Sequence, residues 1–146
     1  MQRQPGDGLI VWYDLMSTDP AATEAFYGNL FGWTLSAEPE EANGYRRWQL
    51  NGEHFGGVLP WDASMSPSNW MAYITVSDLH ESVNRTEDLG GAVHVEPTGI
   101  PKVGQFAVVA DPTGAPFYLF DLLPERRPSD SRYNLGDGFP IWNELI

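Results

Sequence analysis

Two side chains in this sequence have the chemistry for proton transfer: the carboxylate of Asp14 and the imidazole of His54. Asp14 interrupts an apolar run, and a carboxylate in such a strand needs a hydrogen-bonding or charged partner. The two groups could act as a general acid–base pair, or Asp14 could hold a cationic ligand. They could equally bond each other, Arg46 or Arg47 and serve only the structure.

The composition makes several classes of partner unexpected. Twenty acidic residues against eight basic ones give a net charge of −12, so neither a nucleic acid nor an anionic membrane is an expected partner. The chain has no cysteine, which excludes a disulfide framework and a thiol nucleophile. The polar amino end and the absence of a long apolar run predict a cytoplasmic protein.

The first half of the chain predicts a strand followed by a helix. Residues 9–16 form an apolar strand candidate. Asp19 is the expected N-cap of the helix, Pro20 fits its first turn, and Gly32 ends it. Three apolar residues at helical spacing are its predicted packing face: Ala22, Phe26 and Leu30.

Two hairpins complete the predicted elements. Residues 45–59 turn at Asn51-Gly52, after a short strand candidate at residues 34–37. Residues 104–122 turn at the Asp-Pro-Thr-Gly sequence that starts at Asp111. The second hairpin is so apolar that one face must be covered and the other must line something, which we expect to be a small-molecule pocket.

The order of elements repeats after a Pro/Ser-rich linker at residues 60–69. The cap, the last apolar residue and the terminating glycine of the first predicted helix are Asp19, Leu30 and Gly32. Equivalent residues of a second helix follow 59 positions later: Asp78, Leu89 and Gly91. Leu79, Val83 and Leu89 supply part of the second helix's predicted apolar face. The chain therefore predicts two βαβββ modules, at about residues 6–60 and 69–123, within a domain of residues 1–128.

The tail, residues 129–146, contains a second internal sequence similarity. GDGFPIWNELI at residues 136–146 resembles GDGLIVWYDLM at residues 6–16. The tail is therefore predicted to be the first strand of a further module, or a strand added to a sheet edge of this chain or a partner. A coincidental match is the alternative.

Five segments resemble the vicinal oxygen chelate superfamily, which holds glyoxalases, bleomycin-resistance proteins and extradiol dioxygenases. They are WYDLMSTD (12–19), FYGNLFGW (26–33), TVSD (75–78), DLGG (88–91) and ADPTGAPFYLF (110–120). The resemblance implies an α+β fold in which two tandem βαβββ modules form cupped mixed sheets around a pocket. It also implies a homodimer.

The same resemblance implies where metal ligands would stand, on the first and last strand of each module. These positions carry Trp12, Gly56, Met71 and Tyr118, none of which is a usual ligand for a hard divalent cation. Of the three histidines, only His54 is expected near the pocket. We therefore expect no metal and no other cofactor.

Strand alternation from these positions predicts the pocket lining. The expected ligand-binding residues are Trp12, Gly56, Met71, Tyr73, Tyr118 and Phe120, beside Asp14 and His54. Gly56 is expected to share a face with His54 and to leave room for a ligand. The alternative is that the large side chains only fill the core.

The first functional hypothesis is a metal-free protein that binds a small aromatic or cationic organic molecule, of the glyoxalase or bleomycin-resistance type. An alternative is a metal-independent isomerase, lyase or cyclase that uses Asp14 and His54 as acid and base. A second alternative is a structural module of a longer tandem protein.

Overall fold

A computed structural model of the chain describes residues 6–37, 43–128, 137–140 and 144. The α+β class and the twice-repeated βαβββ order are confirmed. In chain order the elements are β1 (Ile10–Ser17), α1 (Pro20–Phe31), β2 (Thr34–Leu35), β3 (Arg46–Leu50), β4 (Glu53–Pro60), β5 (Asn69–Thr75), α2 (Leu79–Asp88), β6 (Ala92–Ile100), β7 (Gly104–Ala110), β8 (Pro116–Leu122) and a 3-10 turn (Pro124–Arg126). No helix among the described residues is long and apolar enough to cross a membrane.

The chain divides into two compact units, the first built mainly on Trp12–Met71 and the second mainly on the residues from Ala72 onward. In the first unit β1 runs parallel to β4, and β4 and β3 are antiparallel, as are β3 and β2. In the second unit β5 runs parallel to β8, and β8, β7 and β6 follow in antiparallel order. Each unit is thus a four-stranded mixed sheet with one helix.

Both helices begin where their caps predict. The Asp19 carboxylate accepts a hydrogen bond from the Ala22 backbone N–H, and Gly32 ends α1 in the left-handed conformation. The Asp78 carboxylate accepts from the Glu81 backbone N–H in the same way. The caps are local hydrogen bonds, so the sequence alone could predict them.

The core of the first unit lies between its sheet and α1, where Tyr27 packs against it and Trp48 is fully buried. The buried cluster comprises Leu15, Trp33, Leu35, Trp48, Leu50, Phe55, Val58 and Phe139. In the second unit, Leu79 and Val83 of α2 pack on Ala107, Val109 and Leu119 of the sheet.

The predicted packing face of α1 is wrong. Phe26 is 60% exposed and Leu30 is 56% exposed, whereas Tyr27 of the opposite face packs against the core. Helical spacing identifies an apolar face, but α1 carries apolar residues on both faces, and only the fold decides which is covered. In α2, Leu79 and Val83 are buried as predicted, but Leu89 follows the helix and is 66% exposed.

The predicted strand at residues 136–146 falls mostly outside the described residues. Of the tail, Phe139 is buried and its ring lies 5.6 Å from that of Phe55. The Trp33 indole N–H donates to the Gly138 carbonyl over 2.8 Å. This part of the tail therefore contributes to the core of the first unit.

Asp111 fixes the turn between β7 and β8, and its loss should weaken the fold in a pH-dependent way. Its carboxylate accepts from the hydroxyl and backbone N–H of Thr113 and from the Ala115 N–H, and these bonds lower the pKa of Asp111. A lowered native pKa gives stability that is present above the ordinary carboxyl range and disappears as pH falls through the native pKa. Urea unfolding should show Asp111→Ala less stable than the wild type at neutral pH, with a difference that shrinks in acid.

Asp111→Asn is the control for that prediction, because it keeps the acceptor oxygen without a titrating group. Its deficit should be smaller than that of Asp111→Ala at neutral pH. A wild-type advantage over Asp111→Ala that is independent of pH would contradict the assignment.

Candidate functional site

A hydrogen-bonded network surrounds the buried carboxylate of Asp14, which is 3% exposed. The Tyr45 hydroxyl donates to Asp14 Oδ1 over 2.9 Å. The Trp12 indole N–H lies 3.0 Å from the same oxygen and 2.9 Å from the Tyr45 hydroxyl oxygen, so both can accept from it. Two aromatic side chains are therefore fixed around one carboxylate, which satisfies part of its need for hydrogen bonds.

Strand register places this network on the face of the sheet opposite α1. Leu15 pairs with Val58, and both belong to the core that Tyr27 of α1 contacts. Asp14 pairs with Gly57, and neighbouring residues of a strand point to opposite faces. We call the face that carries Trp12, Asp14 and Tyr45 the Asp14 face.

Gly57 provides the space that Tyr45 occupies. A Cβ at this position would overlap the hydroxyl oxygen and ring atoms of Tyr45, so the ring lies directly over the glycine. Neither Gly57 nor Tyr45 was among the site residues predicted from the sequence. The Gly56-Gly57 pair inside a predicted strand was the available signal, since glycine in a strand often marks a close approach.

Gly56 does not share the face of Trp12 and Asp14, which corrects the expectation from alternation. It pairs with Tyr13, the residue between those two, and a Cβ there would overlap the Tyr13 carbonyl oxygen. Its missing side chain therefore allows β1 and β4 to approach. A ligand-binding role for Gly56 stays a prediction.

His54 is separated from Gly56 by an irregularity of the sheet. Trp48 pairs with Gly56 but the next residue, Gln49, pairs with His54, so β4 carries one extra residue, Phe55. Such a bulge interrupts alternation, and the two-residue spacing no longer places His54 and Gly56 on one face.

The His54 imidazole has a buried nitrogen, Nδ1, without a hydrogen-bond partner among the described residues. No hydrogen bond joins His54 to Asp14 there. Arg46, one of the two arginines proposed as structural partners of Asp14, donates to Glu24 and to the Ser36 carbonyl. The acid and base roles of Asp14 and His54 therefore stay a prediction.

In the second unit, the aromatic residues predicted to bind a ligand lie together on the face opposite α2. The rings of Tyr73 and Tyr118 stack with centroids 3.9 Å apart, and Phe120 lies 5.2 Å from Tyr73. Met71, which belongs to the first unit, is also buried. All four side chains are only 7–8% exposed, so they also fill space in the core, which is the alternative that the sequence left open.

The four positions at which the superfamily resemblance implies metal ligands do not fit a divalent cation. Trp12 uses its indole N–H as a donor and Gly56 has no side chain, while the thioether of Met71 and the phenol of Tyr118 are poor ligands for such an ion. Within the part of the chain that the structure describes, no three His, Cys, Asp or Glu side chains cluster as a metal site.

A separate cleft of about 490 Å³ opens at the ends of β6, β7 and β8. Arg127 lies in its wall, pairs with Asp121 over 2.6 Å and donates to the Leu122 carbonyl. A guanidinium engaged in this way holds the chain after β8 in place.

The model of the glyoxalase-like domain family matches residues 11–120. "Putative glyoxylase CFP32" of Mycobacterium tuberculosis is 32% identical over 120 residues, which are 82% of this chain and 46% of that protein. "Anthracycline biosynthesis protein DnrV" of Streptomyces peucetius is 33% identical over 128 residues, covering 77% of this chain and 46% of that protein. The chain thus spans about half the length of these curated relatives.

Solved structures resemble the fold. Methylmalonyl-CoA epimerase from Mycobacterium tuberculosis superposes with a TM-score of 0.56 at 14% identity, over 86% of this chain and 95% of that one. A methylmalonyl-CoA epimerase in complex with methylmalonyl-CoA and NH4+ gives a TM-score of 0.59 at 15% identity, over 83% and 99%. At such identities the likeness shows the fold alone.

Proposed function

The chain belongs to the glyoxalase-like domain family, and we propose that within this family it binds a flat aromatic, cationic organic molecule without a metal, at the Asp14 face. The observation that carries the proposal is the network in which Trp12 and Tyr45 are held around the buried Asp14 carboxylate. Both rings are only partly buried, so part of their surface is open to a ligand. The proposed partners are this ligand and a second copy of the chain, in the cytoplasm.

The network suits a flat cation for two physical reasons. Aromatic rings attract a planar ligand by stacking and a cation through their negative faces. Asp14 is too buried for a direct ion pair, but it orients both rings and adds negative charge behind them. The name of one relative refers to anthracycline biosynthesis. Anthracyclines are flat tetracyclic molecules that often carry a cationic amino sugar.

Daunorubicin and its neutral aglycone form a matched pair of probes for this proposal. Calorimetric titration of the wild type should give saturable binding of both. Asp14→Asn keeps an oxygen that can accept from Tyr45 and Trp12 but removes the charge. It should weaken daunorubicin binding about fivefold to tenfold, the loss expected of one partly screened charge interaction, and leave the aglycone unchanged. No binding of either probe, or equal losses for both, would contradict the proposal.

The second candidate is a metal-independent isomerase, lyase or cyclase, favoured by the Nδ1 atom of His54, for which the described part of the chain offers no hydrogen-bond partner. A buried imidazole nitrogen with no hydrogen-bond partner among the described residues could accept a substrate proton. The hemithioacetal of methylglyoxal and glutathione, without added metal, is a suitable test substrate because one relative is named a glyoxylase. Turnover that disappears in both Asp14→Asn and His54→Ala, with the fold intact, would support this candidate, and full activity in both would exclude these roles.

A further inference from the structure

The outer face of α1 is exposed and almost wholly apolar. Phe26 is 60% exposed, Leu30 is 56% exposed, and Trp70 beside the helix is 39% exposed. Six residues form this face, which we call the α1 face: Ala21, Ala22, Ala25, Phe26, Asn29 and Leu30. The single charged residue of α1, Glu24, is ion-paired with Arg46 away from this face.

The equivalent face of α2 shows what a solvated helix of this fold carries. At the 59-residue shift the six positions become His80, Glu81, Asn84, Arg85, Asp88 and Leu89, all exposed. Five of these six are polar, whereas five of the six on α1 are apolar. Because the two helices occupy equivalent places in their modules, the fold itself does not require the apolar character of the α1 face, and an interface explains it.

We propose that the α1 face is the contact surface of a symmetric homodimer, in which α1 packs antiparallel against α1 of a second copy. The distribution of side-chain sizes makes the face self-complementary under such a two-fold axis. An axis midway between Ala25 and Phe26 sets Ala25 against Phe26 of the other copy. It also sets Ala21 against Leu30 and Ala22 against Asn29, so that each alanine meets a larger side chain.

Charge also favours a second copy over an unlike partner. The chain carries a net charge of −12, so two copies repel each other through most of their surface. An uncharged face is where this repulsion is least, whereas a basic partner would be matched by acidic residues. Antiparallel packing further sets the positive end of each helix beside the negative end of the other.

The contact should be weak. A helix of 12 residues is about 18 Å long, so the face is smaller than a standard interface. Interfaces below about 1,200 Å² of total buried area are typical of transient complexes. We therefore expect a monomer–dimer equilibrium that depends on concentration in the micromolar range or above.

Sedimentation equilibrium of the full chain tests the proposal without any ligand, so it is independent of the proposed binding activity. The wild type should approach twice the chain mass as its concentration rises. Phe26→Arg introduces the residue that α2 carries at the equivalent position and should weaken association about tenfold or more, as expected for a central aromatic contact. Because arginine lowers the net negative charge, general repulsion cannot explain such a loss.

Leu89→Arg is the matched control, because Leu89 is an exposed leucine directly after α2 and receives the same charge. It should leave the association constant unchanged. A wild type that stays monomeric to about millimolar concentration would overturn the proposal and leave the face for another partner. Equal weakening by the two variants would also overturn it.

A cysteine placed on the α1 face tests the antiparallel geometry. The chain contains no cysteine, so Ala25→Cys and Asn84→Cys each carry a single thiol. A short bis-maleimide should join two copies of Ala25→Cys, whose thiols lie next to the two-fold axis, much faster than two copies of Asn84→Cys. Equal rates would contradict the proposed interface.

Discussion

Trp48→Ala is expected to remove about 3–5 kcal/mol from the free energy of unfolding. Trp48 is fully buried on β3, and its ring lies 5.6 Å from that of Trp33 and 5.9 Å from that of Tyr27. Replacing it leaves a cavity between the sheet and α1 that these rings cannot fill completely. The loss is a large part of the about 5–15 kcal/mol that stabilises a domain.

Urea unfolding measures this effect, and two further variants keep it interpretable. Trp48→Phe should lower the free energy of unfolding clearly less than Trp48→Ala does. The indole N–H of Trp48 has no partner among the described residues, so the change to phenylalanine removes only volume. Trp70→Ala removes the same side chain from a site that is 39% exposed and should cost less than half as much as Trp48→Ala. Equal losses for Trp48→Ala and Trp70→Ala would contradict the assigned core.

Gly57→Ala is expected to lower the free energy of unfolding by about 1–3 kcal/mol, the usual penalty of overpacking. It should also weaken binding of daunorubicin at the Asp14 face. The new Cβ would overlap the Tyr45 ring and displace its hydroxyl from Asp14. The cost therefore depends on Tyr45. In a Tyr45→Ala background, Gly57→Ala should be close to neutral, which a double-mutant cycle of unfolding free energies measures.

Gly99→Ala is the control for strand glycines, since a Cβ there meets no atom within 4 Å. It should be close to neutral in both backgrounds. If Gly57→Ala and Tyr45→Ala prove additive, the ring does not occupy the space over Gly57.

The sequence predicted the elements whose causes are local. Asp19 and Asp78 cap the two helices through hydrogen bonds to residues three positions ahead, and Asn51-Gly52 makes the predicted turn with positive φ at both residues. The βαβββ order followed from such signals and from the repeat.

The faces of the elements were harder to predict, because they depend on contacts distant in sequence. The bulge at Phe55 changes the side-chain alternation of β4, so that His54 and Gly56 do not share a face. The hydrophobic periodicity of the sequence does not predict this bulge. The covered face of α1 is chosen by the core around Trp48. Tyr45 reaches Asp14 from 31 residues away, so only the pairing of strands brings them together.

The Asp14 face is the proposed binding site of a flat aromatic cation. The most direct test is a titration of the isotopically labelled chain with daunorubicin, followed by NMR of the backbone amides and the tryptophan indole N–H groups. Binding at the Asp14 face should give the largest chemical-shift changes at the Trp12 indole and at the amides of Tyr45 and Gly57. Chemical-shift changes confined to α1 and Trp70 would mean that daunorubicin binds only to the exposed apolar surface, and would contradict binding at the Asp14 face.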